Sequence, residues 1–157
     1  MTLAGQGFLA ALPPGHRDRL ADLGHDVPIP AGTRVFEEDG VADRFWIIRS
    51  GTVALDVHVP GRRSAVVETL GEGDLLGWSW LFEPYRWHLG AQARRTVTAT
   101  EFDAGRVRHA CGTDPAFGLA VTHAVAAVIA RRLKATRTRL LDLYGPPGTG
   151  TADGPAG

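Results

Sequence analysis

Cysteine occurs once in the 157 residues, at Cys111. An intrachain disulfide is thereby excluded, as is an all-cysteine metal or iron–sulfur site. Lysine also occurs once, at Lys134, and every other basic residue is arginine. Arginine suits planar anion pairing, but a genome-wide composition bias gives the same count, so little rests on it. Net charge is absent too, with 17 basic residues against 17 acidic ones, which argues against a wholesale polyanion binder. No apolar run reaches membrane-spanning length, and the first residues lack a charged-then-apolar signal pattern. A soluble, cytoplasmic protein with no membrane association is expected. No Ser/His/Asp set or carboxylate pair stands out, so an enzyme is not expected. His58, His109 and His123 are isolated and show no metal-ligand spacing.

The chain does have tryptophan, and three of its four lie within residues 75–89: Trp78, Trp80 and Trp87. The same stretch holds Gly77, Ser79, Tyr85, Arg86 and His88. Large aromatics supply buried area, whereas Gly, Arg and His belong to turns and binding sites. Backbone N–H groups after a glycine and a nearby Arg suit an anion. Two readings follow: an aromatic core plug around a tight turn, or a ligand pocket.

The length suits one domain with a substantial core. Residues 1–26 read as an N-terminal helical segment, with Phe8, Leu9, Leu12, Leu20 and Leu23 apolar and Pro13, Pro14 and Gly15 breaking the helix. From Val27 the pattern turns to short strands. Residues 28–32 form a strand with a turn, 33–36 another strand, and 37–40 a polar turn. Residues 44–49 (RFWIIR) predict a strand buried on both faces at its centre. Residues 52–59 alternate Val53, Leu55, Val57 and Val59 with Thr52, Ala54, Asp56 and His58, a half-buried pattern. Residues 65–70 return as the second strand of that hairpin, and 92–100 are β-like. Asp114 and Pro115 then open a helix running to Tyr144. Along it Ala126, Ile129, Leu133, Thr136, Leu140 and Leu143 follow 3,4 spacing, the seam of a coiled coil. The first half of the helix is expected to pack on the chain's own strands and the second half on another copy, as a parallel homodimer. Residues 145–157 carry no apolar side chain beyond Ala and read as a disordered tail.

Taken in order, these residues resemble the cyclic-nucleotide-binding domain of bacterial transcription regulators such as the catabolite activator protein. The landmarks are Pro30–Phe36 (PAGTRVF), Gly40, Phe45–Ile48 (FWII), Ser50–Val53 (SGTV), Gly71–Gly77 (GEGDLLG), and Ala130–Leu133 (ARRL) with Thr136. The resemblance spans about residues 20–143. It implies a mainly β fold with flanking helices: a jelly-roll-like β-roll of about eight strands followed by a long C-terminal dimerisation helix. Gly71–Gly77 corresponds to the entry of the family's phosphate-binding cassette. Two polar anchors differ. Trp78 stands where the family has the Glu that accepts a hydrogen bond from the ribose hydroxyl. His88, followed by Leu89, stands where the family has the Arg that neutralises the cyclic phosphate. Arg86 substitutes only if the loop is re-routed. Thr136, with Arg137 beside it, matches the helix threonine that reaches the purine. The candidate ligand residues are therefore Leu76, Gly77, Trp78, Ser79, Trp80, Arg86, Trp87, His88, Thr136 and Arg137.

The expected function is that of a cyclic-nucleotide-binding-like sensor that signals through a protein partner. The winged helix-turn-helix that follows the long helix in the regulators has no counterpart in residues 145–157, and no direct DNA binding is expected. Arg131, Arg132, Lys134, Arg137 and Arg139 read as the solvated face of a helical pair. The ligand is open: a cyclic nucleotide, or another small anionic or aromatic molecule. A second reading is a ligand-free scaffold module whose pocket its own tryptophans fill. A weaker third is a haem or aromatic-ligand sensor built on His88. With zero net charge and no recognition helix, the protein should show no sequence-dependent duplex binding at physiological salt. A gel-shift series with sub-micromolar, sequence-dependent affinity would contradict that.

Overall fold

The structure, a computed structural model, describes residues 7–144. A 3-10 turn at Phe8–Ala11 leads into α1 (Pro14–Asp22). Pro14 occupies the first helical turn, where a missing N–H costs nothing. Eight strands follow: β1 (Gly24–Ile29), β2 (Arg34–Phe36), β3 (Arg44–Ser50), β4 (Val53–Val57), β5 (Ala65–Leu70), β6 (Leu75–Leu76), β7 (Gly90–Ala93) and β8 (Val97–Asp103). Two helices, α2 (Ala104–Thr113) and α3 (Pro115–Tyr144), end the described chain. The strands form two four-stranded sheets, ordered β1-β8-β3-β6 and β2-β7-β4-β5. This is the mainly β roll with flanking helices that the sequence predicts.

Strand β3 sets the layering. Phe45, Trp46, Ile47 and Ile48 are all buried, so neither face of the strand meets water. Trp46 reaches across to Phe36 of the other sheet, with ring centres 5.9 Å apart. Phe45 stacks instead on Trp80 at 4.0 Å and on Phe102 of β8 at 4.6 Å. Helix α2 packs against β3 and β8 on that side. Asp103 caps α2, its carboxylate accepting from the Arg106 N–H at 3.0 Å.

Several elements differ from the sequence expectation. β1 begins at Gly24, ahead of Val27, and tolerates Pro28 because it is the outer strand of its sheet. The single β-like stretch 92–100 is two strands, β7 and β8, separated by an exposed turn at Arg94–Thr96. β4 is not half-buried: Val53, Ala54, Leu55 and Asp56 are all buried. Asp56 is tolerated there because Arg34 of β2 grips it with two hydrogen bonds, at 2.5 and 2.7 Å. That grip holds the guanidinium pKa above its ordinary value, chiefly through the Asp56 hydrogen bonds and against the effect of burial. Gly90 of β7 makes room for the pair, since a Cβ there would fall 2.1 Å from Arg34 Nη2 and 2.6 Å from Asp56 Oδ1.

Helix α3 is 30 residues long. An 18-residue window within it reaches a mean hydropathy of 1.4, enough by length and composition to cross a membrane. The sequence shows no unbroken run because Thr122 and His123 interrupt it. A third of that window is buried, through residues that include Phe117, Val121, Ala124, Val125 and Val128 packing into the fold. Beyond Val128 no residue of α3 is buried, and Leu133, Leu140, Leu141, Leu143 and Tyr144 are all exposed. Residues 1–6 and the predicted tail at 145–157 lie outside the described residues.

The Arg34–Asp56 pair gives an asymmetric prediction, because Asp56 is 8% exposed and Arg34 29% exposed. Arg34→Ala leaves a buried carboxylate unpaired and should destabilise the fold by roughly 3–5 kcal/mol. Asp56→Ala leaves a guanidinium that still reaches Glu37 and water, and should cost only about 1.5–3 kcal/mol. Urea denaturation of the two variants checks the order.

Candidate ligand pocket beneath the long helix

Strand β6 pairs with β3 through Trp46↔Leu76 and Ile47↔Leu75, which delivers the chain to Gly77. Gly77 has φ +98, a conformation that strains any residue with a Cβ. A Cβ here would also lie 2.7 Å from the Trp87 ring. The bare glycine therefore lets Trp87 close over the turn, where it stacks on Phe36 at 4.0 Å. A short 3-10 turn, Ser79–Leu81, follows. Trp80 is fully buried and donates its indole N–H to the Gly77 carbonyl at 3.1 Å. Arg108 of α2 holds the same loop from outside. It donates to the Trp80 carbonyl at 2.7 Å and lies 4.2 Å from the centre of the Tyr85 ring.

Beside this loop lies a cavity of about 260 Å³, just below the usual range for small-molecule sites. The roll contributes Phe36, Leu55, Val67 and Glu68 to its walls. The loop contributes Gly77, Trp78, Trp87, His88 and Leu89, and α3 covers the cavity with Ile129, Arg132, Leu133 and Thr136. Trp78 stacks on His88 with ring centres 5.3 Å apart and 20° between planes. Ser79 Oγ lies 3.0 Å from His88 Nδ1 and fixes that ring.

Of the residues singled out in the sequence, Gly77, Trp78, Trp87, His88 and Thr136 are brought together around this cavity. Leu76, Ser79 and Trp80 are buried behind it, and Arg137 is exposed on α3. Arg86 is also outside the lining: its backbone bridges Val41 and its side chain donates to the Asp39 carbonyl at 3.0 Å. The loop is not re-routed to bring Arg86 inward. Among the seam residues, Ala126, Leu133, Thr136, Leu140 and Leu143 are exposed, whereas Ile129 is half-buried in the pocket wall.

Two charged lining residues were missed. Arg132, grouped in sequence with the outer-face cations, turns inward. Its Nη2 donates to the Leu75 carbonyl, and its Nε lies 3.7 Å from Glu68 Oε2. Burial draws its pKa below the ordinary guanidinium value, while Glu68 and Asp74 oppose that effect. A signal was available, since Arg132 sits one helical turn before Thr136 and shares its face. Glu68 had no such signal. In the β4–β5 pairing Leu55 faces Glu68 and Asp56 faces Val66, so Val67 is a bulged residue. The bulge breaks alternation and lets both Val67 and Glu68 line the cavity. Arg139 of α3 donates to the Val67 carbonyl that the bulge frees.

A sequence profile of the cyclic nucleotide-binding domain matches residues 26–114. The chain belongs to the cyclic nucleotide-binding domain family. Over 141 residues it is 28% identical to the CRP-like cAMP-activated global transcriptional regulator of Mycobacterium tuberculosis, covering 90% of this chain and 61% of the regulator. The chain thus spans less than two thirds of that relative's length. The catabolite activator protein of Thermus thermophilus superposes with a TM-score of 0.70 at 22% identity, over 87% of this chain and 62% of its own. A cyclic nucleotide-binding domain from Methylobacillus flagellatus KT superposes with a TM-score of 0.79 at 12% identity, over 88% and 82% of the two chains. These last two likenesses speak to the fold. In this member of the family the glycine turn and α3 enclose the cavity, with Trp78 and His88 forming one wall between them.

Gly77→Ala tests the turn. A positive φ at a residue with a Cβ costs about 1–3 kcal/mol, and the added methyl group must displace Trp87. The variant should lose stability and near-ultraviolet circular dichroism from the indoles. An unchanged aromatic spectrum would show that Trp87 does not depend on the bare glycine.

Proposed function

We propose that this domain is a dimeric small-molecule sensor that passes the state of its pocket through α3 to a protein partner. The observation that carries the reading is double use of one helix face. Leu133 and Thr136 line the cavity, and both belong to the exposed 3,4 seam that continues to Leu140 and Leu143. A ligand that shifts the covering turn of α3 therefore shifts the seam. The seam also extends toward the N-terminus. Leu119 is exposed and stands one heptad before Ala126, so a partner helix would meet apolar side chains along most of α3. A second copy of the chain is the natural cover for such a stripe.

The reading in which tryptophans close the pocket draws support from Trp80, which fills the core against Phe45, and from Trp87, which is buried and stacked on Phe36. Trp78 is only half-buried, and both it and Trp87 still border open volume, which favours a bound molecule. The aromatic walls of Phe36, Trp78, Trp87 and His88 suit a flat ligand. Cyclic AMP and cyclic GMP should bind weakly, because Trp78 and His88 supply neither a carboxylate nor a permanent cation, and the Arg and Glu that do line the pocket, Arg132 and Glu68, are turned on each other.

Native mass spectrometry of the protein purified from its own host reads both halves of the proposal in one spectrum. The expected species is a dimer carrying a retained small molecule. Leu133→Glu and Leu140→Glu should each give monomer, since a carboxylate at the seam loses its hydration on pairing. A bare monomer of the wild-type chain at micromolar concentration would overturn the reading.

A further inference from the structure

The charge inside the pocket is already balanced by the protein. Among the lining residues Arg132 is the one Arg or Lys and Glu68 the one Asp or Glu. They face each other at 3.7 Å, and their side chains are 16% and 28% exposed, so solvent screens them only in part. Arg132 is engaged further by the Leu75 carbonyl. On its far side a second cavity, of about 210 Å³, is shared by Glu68, Asp74, Arg131 and Arg132. The guanidinium thus has one carboxylate at 3.7 Å, while a second, Asp74, shares the neighbouring cavity with Arg131. Asp74 is itself held by the Gly71 N–H at 2.8 Å, and Glu68 is aimed inward by the bulge at Val67.

An anion entering the cavity would meet the Glu68 carboxylate beside a guanidinium that Glu68 and the Leu75 carbonyl already engage. Like charges at this range repel strongly where water is scarce. A neutral planar molecule meets no such barrier, and Glu68 can accept a hydrogen bond from an N–H or O–H on its edge. We propose that Glu68 is the specificity-determining residue of the pocket: it acts as an internal counter-anion for Arg132 and selects uncharged, flat ligands with a hydrogen-bond donor over phosphate-bearing ones. The proposal rests on the pocket being a ligand site and names the class of ligand it takes.

The test uses adenosine and cyclic AMP, which share a purine and a ribose but differ in the anionic phosphate. Binding is followed by intrinsic fluorescence, since Trp78 and Trp87 line the cavity. For the wild type, adenosine should bind more tightly than cyclic AMP. Glu68→Gln keeps the shape and an acceptor but removes the charge. It should strengthen cyclic AMP binding by about tenfold or more while leaving adenosine within roughly threefold. Glu68→Ala should shift the ratio of the two affinities in the same direction, which separates a charge effect from a local packing defect. A ratio unchanged in both variants, or a wild type that prefers cyclic AMP by about tenfold, would overturn the assignment of Glu68 and leave the pocket reading standing. Failure of both molecules to bind wild type and both variants at millimolar concentration would remove the pocket reading and this proposal together.

Discussion

A strand buried on both faces has to be covered twice, and β3 is such a strand. Trp46 demands one cover, which the second sheet supplies through Phe36. Phe45 demands another, which comes from Trp80 and Phe102. To bring Trp80 there, the chain leaving β6 must turn sharply, and only a residue without a Cβ can sit at Gly77 with Trp87 pressed against it. The cavity is what remains once both covers are in place and α3 has crossed above. The site is therefore a by-product of core packing, and its position is as fixed as the core.

Much of this was legible in the chain. The central burial of residues 45–48, the hairpin of β4 and β5, and the long helix all follow from local patterning. The spaced glycines and Phe45–Ile48 carried the family likeness. The three clustered tryptophans were harder, because adjacent positions in a tight turn take different roles. Trp80 is core, Trp78 is wall, and Trp87 is both, buried in the core yet lining the cavity. Asp56 misled the strand pattern because its partner Arg34 is 22 positions away, and a long-range ion pair leaves no periodic trace. Arg132 was hidden by a helix with two apolar faces, one on the roll and one exposed, which makes the polar face ambiguous. Glu68 was hidden by a register shift that only the paired strands reveal.

Helix α3 divides its length between two duties. Up to Val128 it is part of the core, and beyond that point it covers the cavity and presents the stripe of Leu133, Leu140 and Leu143. If two copies pair through that stripe, linkage makes the coupling mutual: a ligand that favours one helix arrangement is bound better by it. The clamp of Arg108 on the Trp80 carbonyl ties α2 to the loop that forms one wall. Arg108 of α2 holds the loop after Gly77 and Arg132 of α3 holds the strand that enters it, so the relative position of wall and cover is the coordinate a ligand can bias.

The hydrogen bond from Arg139 to the Val67 carbonyl bears on solubility as well as on shape. β5 is the outer strand of its sheet, and an outer strand with free carbonyls is a template on which another chain can add a strand. A bulge twists such an edge away from flat pairing, and a cation placed over it from a separate element occupies an acceptor that a foreign strand would need. The last turns of α3 therefore guard the open side of the roll. Fraying of that helix end would release this carbonyl and uncover an adhesive sheet margin.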